Sequence, residues 1–138
     1  MTTKQYLSQA LVLDRKIKTK LAELSELESL AYTVKAINNG ERVKSAKINN
    51  SNATIDKIID LRNDINFEID NLVDLKRAIK KVINKLDNDV YKNVLINRYV
   101  SCLTFEQCAV VLNYDVRYIY KLHNRAIKDI ERQYKSVI

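Results

Sequence analysis

Arg117, Tyr118, Lys121, Asn124, Arg125 and Lys128 recur at spacings that place them on one side of a helix near the end of this 138-residue chain. Arg and Lys donate to guanine O6 and N7 or to phosphate, Asn pairs with base edges, and Tyr reaches phosphate or packs on a thymine methyl. Side chains of these types on one helix face suit the major groove of double-stranded DNA. The other reactive groups offer less. Cys102 and Cys108 are six residues apart with His123 as the only histidine, so they form neither a metal set nor a redox pair and are expected to pack as small hydrophobes. His123 has no nucleophile or paired carboxylate beside it and is expected to be a partly packed helix residue. There is no glycine-rich phosphate loop and no metal-ligand spacing, so no enzyme activity, cofactor or metal is expected.

The basic face needs a scaffold, and the local signals supply one. Thr104 and Gln107 make a capping box that starts a short helix. Phe105, Cys108, Ala109 and Leu112 line its buried stripe, and Ala109 is small enough for two helices to cross there. Asn113 suits the left-handed residue that ends a helix, and Asp115 suits the N-cap of the next. That next helix, about 116–130, buries Ile119, Leu122, Ala126, Ile127 and Ile130, and the tail to Ile138 continues its spacing. Two short helices joined by so tight a turn read as a helix-turn-helix. Upstream, Asp87 or Asp89 is expected to cap a supporting helix carrying Val90, Tyr91, Val94, Leu95, Tyr99 and Cys102 inward.

Residues 4 to 37 repeat apolar groups every seven positions: Ala10, Ile17, Leu24 and Ala31 in one column, and Tyr6, Leu13, Lys20, Leu27 and Val34 in the other. Residues 53 to 86 do the same, with Ile58, Ile65, Leu72, Ile79 and Leu86 beside Ile55, Arg62, Ile69, Lys76 and Ile83. Between them, residues 38–52 hold the only Gly and five Asn and are expected to be a loop. The fold class expected is therefore all-α. A long antiparallel helical hairpin (1–86), about 50 Å long, precedes a trihelical domain (87–138). Leu7, Leu11, Leu21, Leu30 and Ile37 widen the apolar stripe beyond what one seam uses. A homodimer or small homo-oligomer is thus expected, against a monomer whose hairpin folds back on the C-terminal domain. Lys20, Arg62 and Lys76 interrupt the seams. They either fix the register or, on the plainer reading, lay their stems along the seam with their heads in solvent. Lys76, Arg77, Lys80, Lys81 and Lys85 make an acid-free run that either touches phosphates or is simply solvated.

The net charge of +7 and pI of about 9.4 favour a polyanionic partner, while 46% apolar residues exclude wholesale disorder. The absence of Pro leaves few helix breaks. No apolar run is long enough to cross a membrane and no signal peptide is evident, so a cytoplasmic, nucleoid-associated protein is expected.

The run from Leu86 to Ile130 resembles region 4 of bacterial sigma factors: Arg98-Tyr99, the Leu103-Thr104-x-Glu106 start, Ala109, Leu112 and Arg125-Ala126 carry the likeness. The whole chain is similar to a family of small region-4-like proteins of phages and mobile elements. Lys4-Gln5-Tyr6-Leu7, Leu13-Asp14, Lys20-Leu21, Leu72-Val73-Asp74-Leu75-Lys76-Arg77 and Leu122-His123-Asn124-Arg125-Ala126 carry that second likeness. The resemblance implies transcription regulation, makes host RNA polymerase a candidate partner, and assigns base reading to Val116, Arg117, Tyr120 and Lys121 with Arg125 on phosphate. Sigma factors commonly have Arg then Glu where this chain has Val116 and Arg117, which implies a different DNA element. The other function classes that fit are a small terminase-like DNA-packaging subunit and a helical protein-interaction module that does not bind DNA.

Overall fold

The computed structural model describes the backbone of residues 1–40 and 45–135, and side chains within 1–33 and 52–134. The protein is all-helical. Helices α1 (Thr3–Gly40), α2 (Ser45–Ile83), α3 (Asp89–Leu95), α4 (Phe105–Leu112) and α5 (Val116–Lys135) follow in order, with a π-helical turn at Ile96–Val100 after α3. Among the described residues no strand occurs and no helix is long and apolar enough to cross a membrane.

The segment 38–52 corrects the expectation of a loop. Helix α1 runs on to Gly40 and α2 begins at Ser45, leaving only 41–44 outside the described residues. Asn costs a helix at most about 0.7 kcal/mol relative to Ala, against about 3 for Pro. Several Asn spread along two helices of 38 and 39 residues are therefore tolerated. The start of α1 carries a capping box that was not anticipated: the Thr2 amide donates to Gln5 Oε1 at 2.9 Å and the Gln5 amide to Thr2 Oγ1 at 3.2 Å.

Packing divides the chain into two units: Met1–Asp14 with Leu72–Ile138, and Arg15–Asn71. The units do not divide at 86/87, because the first turns of α1 and the last turns of α2 share a unit with the C-terminal helices. Leu7, Ala10, Leu11, Ile79, Ile83 and Leu86 are all buried there. Two of the extra apolar residues on α1, Leu7 and Leu11, are thus covered within the chain, whereas Leu21 and Leu30 stay exposed. Ile37 and Val34 lie outside the described side chains.

Within the unit Arg15–Asn71, Ile17, Ile58 and Ile65 are buried. Salt links fix the pairing of the helices: Lys20 Nζ donates to Glu68 Oε1 at 2.9 Å, Lys16 Nζ lies 3.0 Å from the same oxygen, and Arg62 pairs with Glu28. Positions rise along one helix as they fall along the other. These contacts correct the plainer reading of Lys20 and Arg62, whose heads do not simply reach solvent but bind acids on the facing helix. Glu68 occupies the column of Leu61 and Leu75, where an apolar residue would suit a plain seam. The Lys20 and Lys16 hydrogen bonds hold its carboxyl below the usual carboxylate range despite its burial, and the Glu68 bond in turn raises Lys20.

Candidate nucleic-acid interface

Three local devices set the path of the chain from α3 to α5. Asn88, not Asp87 or Asp89, caps α3, its Oδ1 accepting the amides of Val90 at 2.9 Å and Tyr91 at 3.2 Å. Thr104 and Gln107 form the expected capping box at α4, with Thr104 Oγ1 accepting the Gln107 amide at 3.1 Å and Gln107 Oε1 accepting the Thr104 amide at 2.9 Å. Asn113 ends α4 in the left-handed region at φ 59, ψ 46, as expected of an Asn there. Asp115 Oδ1 then accepts the Arg117 amide at 3.2 Å, so only three residues separate α4 from α5.

The side chains between these caps close a small core. Cys108 and Ala109 of α4, Ile119 and Leu122 of α5 and Val94 of α3 are buried together, with Phe105 and Leu112 packed on them. Cys108 is therefore a core hydrophobe, and burial pushes its thiol up. Two residues of the π-helical turn, Arg98 and Tyr99, tie it to this core. Arg98 Nη1 donates to the Leu103 carbonyl at 2.8 Å and the guanidinium lies 4.5 Å from the Phe105 ring, clamping the stretch before α4, where Cys102 is left-handed at φ 59. Tyr99, also buried, places its hydroxyl 2.6 Å from His123 Nε2.

His123 is more deeply placed than a partly packed residue, at 2% exposure, with the Phe105 ring edge-on at 5.0 Å. Burial lowers its pKa and pushes Tyr99 up to about 12. Both are neutral near pH 7, so Tyr99 O–H donates to Nε2. The proton on Nδ1 then faces Asn124 Oδ1, 3.4 Å away. That tautomer satisfies both ring nitrogens.

The opposite face of α5 is open. Arg117, Tyr118, Tyr120, Lys121, Asn124, Arg125 and Lys128 are all exposed. Positions 117, 121, 124 and 128 follow one line, flanked by 118 and 125 seven apart. Between Val116 and Lys128 there is no acidic residue. None of Arg117, Lys121, Arg125 and Lys128 enters an ion pair among the described residues. Val116, in contrast, packs against the core and is half-buried. The Tyr120 ring rests 4.7 Å from Phe105, and Tyr118 sits edge-on to Tyr114 at 5.2 Å, so both tyrosines are braced. A face of four cations with donors between them can bind phosphates and base edges; among the described residues no three His, Cys, Asp or Glu gather as for a metal.

Of the run from Lys76 to Lys85, the last member lies far from the N-terminal turns of α5. Arg77, Lys80, Lys81 and Lys85 are exposed, but Lys85 Nζ lies 5.5 Å from the Tyr134 ring. That ring is near the other end of α5, roughly 25 Å from Arg117 at 1.5 Å per residue. On α4 a different surface is bare: Val110 is 81% exposed and Val111 60%, beside a shallow groove they share with Leu103, Glu106 and Gln107.

Compared with protein-family models, with curated proteins and with solved structures, the chain finds no match.

Proposed function

We propose that the chain is a sequence-specific double-stranded DNA-binding transcriptional regulator of phage or mobile-element origin. On this reading α4 and α5 are a helix-turn-helix supported by α3, and α1 and α2 are an antiparallel hairpin that pairs two copies. Helix α5 enters the major groove with its N-terminal turns against base edges. Arg117 and Lys121 donate to guanine, Tyr118, Tyr120 and Asn124 are secondary readers, and Arg125 and Lys128 meet phosphate. Val116, half-buried, contributes position more than contact. The single observation that carries the reading is the acid-free outer face of α5, whose four cations enter no ion pair among the described residues while its inner face is fixed by a core. The likeness to region 4 of sigma factors supports it. One trihelical module buries too little DNA for genomic specificity, which is why two copies act together.

The test is duplex binding across a salt series, on the full chain. Arg117→Ala is expected to cost about 1–3 kcal/mol at one base position, and Arg125→Ala to weaken all sequences alike and flatten the salt slope by about one. Binding that is indifferent to salt and to both substitutions would leave the proposal without support. A second reading has one observation behind it: the bare Val110–Val111 surface of α4 suits a protein contact, with host RNA polymerase the candidate partner. A terminase-like packaging role would instead call for rings of many copies, visible as mass in solution.

A further inference from the structure

The Arg15–Asn71 unit has two flanks, and its ion pairs show which residues share each. Lys16, Lys20 and Glu68 close one flank. Glu28 and Arg62 mark the other, and there each helix carries a second stripe. On α2 the stripe is Ile55, Ile59, Arg62, Asn66 and Ile69, spaced four, three, four and three, about a quarter turn from the buried Ile58 and Ile65. On α1 it is Leu21, Ser25, Glu28 and Tyr32, spaced four, three and four. Ile59 is 50% exposed, Ile69 38%, Leu21 45% and Tyr32 76%. Two apolar seams a quarter turn apart are what each helix of a four-helix bundle needs, since each touches two neighbours. The single chain fills only one of them.

We propose that a second copy of the chain covers this flank, related by a twofold axis parallel to the helices, so that each α1 packs antiparallel on the α2 of its partner. The pairing rests on the two-copy reading above and gives it a surface. Its support is self-complementarity at the four layers from Leu21 to Tyr32. With like layers facing, Leu21 meets Ile69 of the partner subunit and Ser25 meets Asn66 of the partner subunit. In the same register Glu28 meets Arg62 of the partner subunit and Tyr32 meets Ile59 of the partner subunit. Apolar faces apolar, hydroxyl faces amide, and acid faces base. An unrelated helix would have to reproduce that order and spacing, while a second copy supplies it by symmetry.

Charge reversal with mixing tests it. By sedimentation equilibrium the full chain is expected at about twice its 16.1 kDa. Glu28→Arg alone and Arg62→Glu alone are each expected at the monomer mass with unchanged helical circular dichroism, because each puts like charges in one layer. Mixed in equal amounts, they are expected to return to the dimer mass, since one copy then presents two cations to two acids. A wild-type chain at 16.1 kDa, a wild-type assembly of three or more copies, or a mixture that stays monomeric overturns the pairing. Should either reversal unfold the chain, Ile59→Lys serves instead, as its side chain is half-exposed in the single chain; a dimeric Ile59→Lys protein overturns the proposal. These masses are read without DNA. A dimer that binds no duplex therefore refutes the DNA-reading proposal alone, and a monomer that binds duplex refutes this one alone.

Discussion

Replacing Tyr99 by Phe deletes one oxygen from the core beneath α5, and the cost follows from where that oxygen points. Its hydrogen goes to His123 Nε2 at 2.6 Å, in a site where His123 is 2% exposed and Tyr99 1%. Without it, a buried nitrogen that water cannot reach is left unpaired. A satisfied hydrogen bond nets about 0.5–1.5 kcal/mol, but a stranded buried acceptor costs about 1–3. Tyr99→Phe is therefore expected to lower unfolding free energy by about 1–3 kcal/mol, a large share of the roughly 5–15 typical of a domain. Removing both partners strands nothing, so Tyr99→Phe with His123→Leu is expected to cost less than the sum of the two single changes. The same site sets a pH window. Burial holds His123 below its ordinary 6.5 in the folded chain, so above 6.5 both states are neutral and stability is full. As pH falls below 6.5 the unfolded chain takes up the proton first, and stability drops by up to about 1.4 kcal/mol per pH unit from this group. Urea unfolding followed by circular dichroism at pH 7.5, 6.5 and 5.5 reads both effects. A Tyr99→Phe protein within about 0.5 kcal/mol of wild type, or a wild type whose stability is flat across this range, would refute the reasoning.

Other expectations follow from the caps and the salt links. Thr104→Ala removes the acceptor of the Gln107 amide and is expected to cost about 1 kcal/mol in the same urea experiment. Asn113→Val forces a β-branched residue to φ 59 and should cost about 1–2 kcal/mol or more, whereas Asn113→Gly should be close to neutral. The carboxyl of Glu68 is held low by Lys20 and Lys16, so its contribution is present above its ordinary 4.5 and lost as pH falls below it. Glu68→Gln is expected to reduce the acid-induced loss in that lower window while leaving the His123 window intact, which pH-resolved melting would separate.

What could be read in advance was what is local. The boundaries of α4, the left-handed Asn113 and the Asp115 cap rest on bonds spanning two or three residues, and the α5 stripe rests on a helical period. Both survive in a bare string of letters. Thr2 and Gln5 carry the same signature as Thr104 and Gln107, ahead of the apolar period that begins at Tyr6, and were legible by the same rule. The asparagines of 38–52 misled because Asn signals a turn only when the backbone is free to leave the helix. Glu68 and the heads of Lys20 and Arg62 depended on which residues face them from the other helix, 48 positions away for Lys20. The Tyr99–His123 bond, across 24 positions, left no periodic trace. On α5, Arg117, Tyr118, Lys121, Asn124, Arg125 and Lys128 were legible as one face of a helix and Tyr120 came only with the resemblance, while the packing of Val116 against the core depended on how α4 and α5 cross.

The central claim is that the outer face of α5 reads a duplex, and selection of bound DNA from a random pool by the full-length protein tests it most directly. The account expects an enriched motif with two half-sites one helical turn or a multiple apart, lost base by base in an Arg117→Ala protein and retained with lower affinity in Arg125→Ala. A pool that emerges with no motif, or binding unaffected when Arg117, Lys121 and Arg125 are all replaced by Ala, would contradict it.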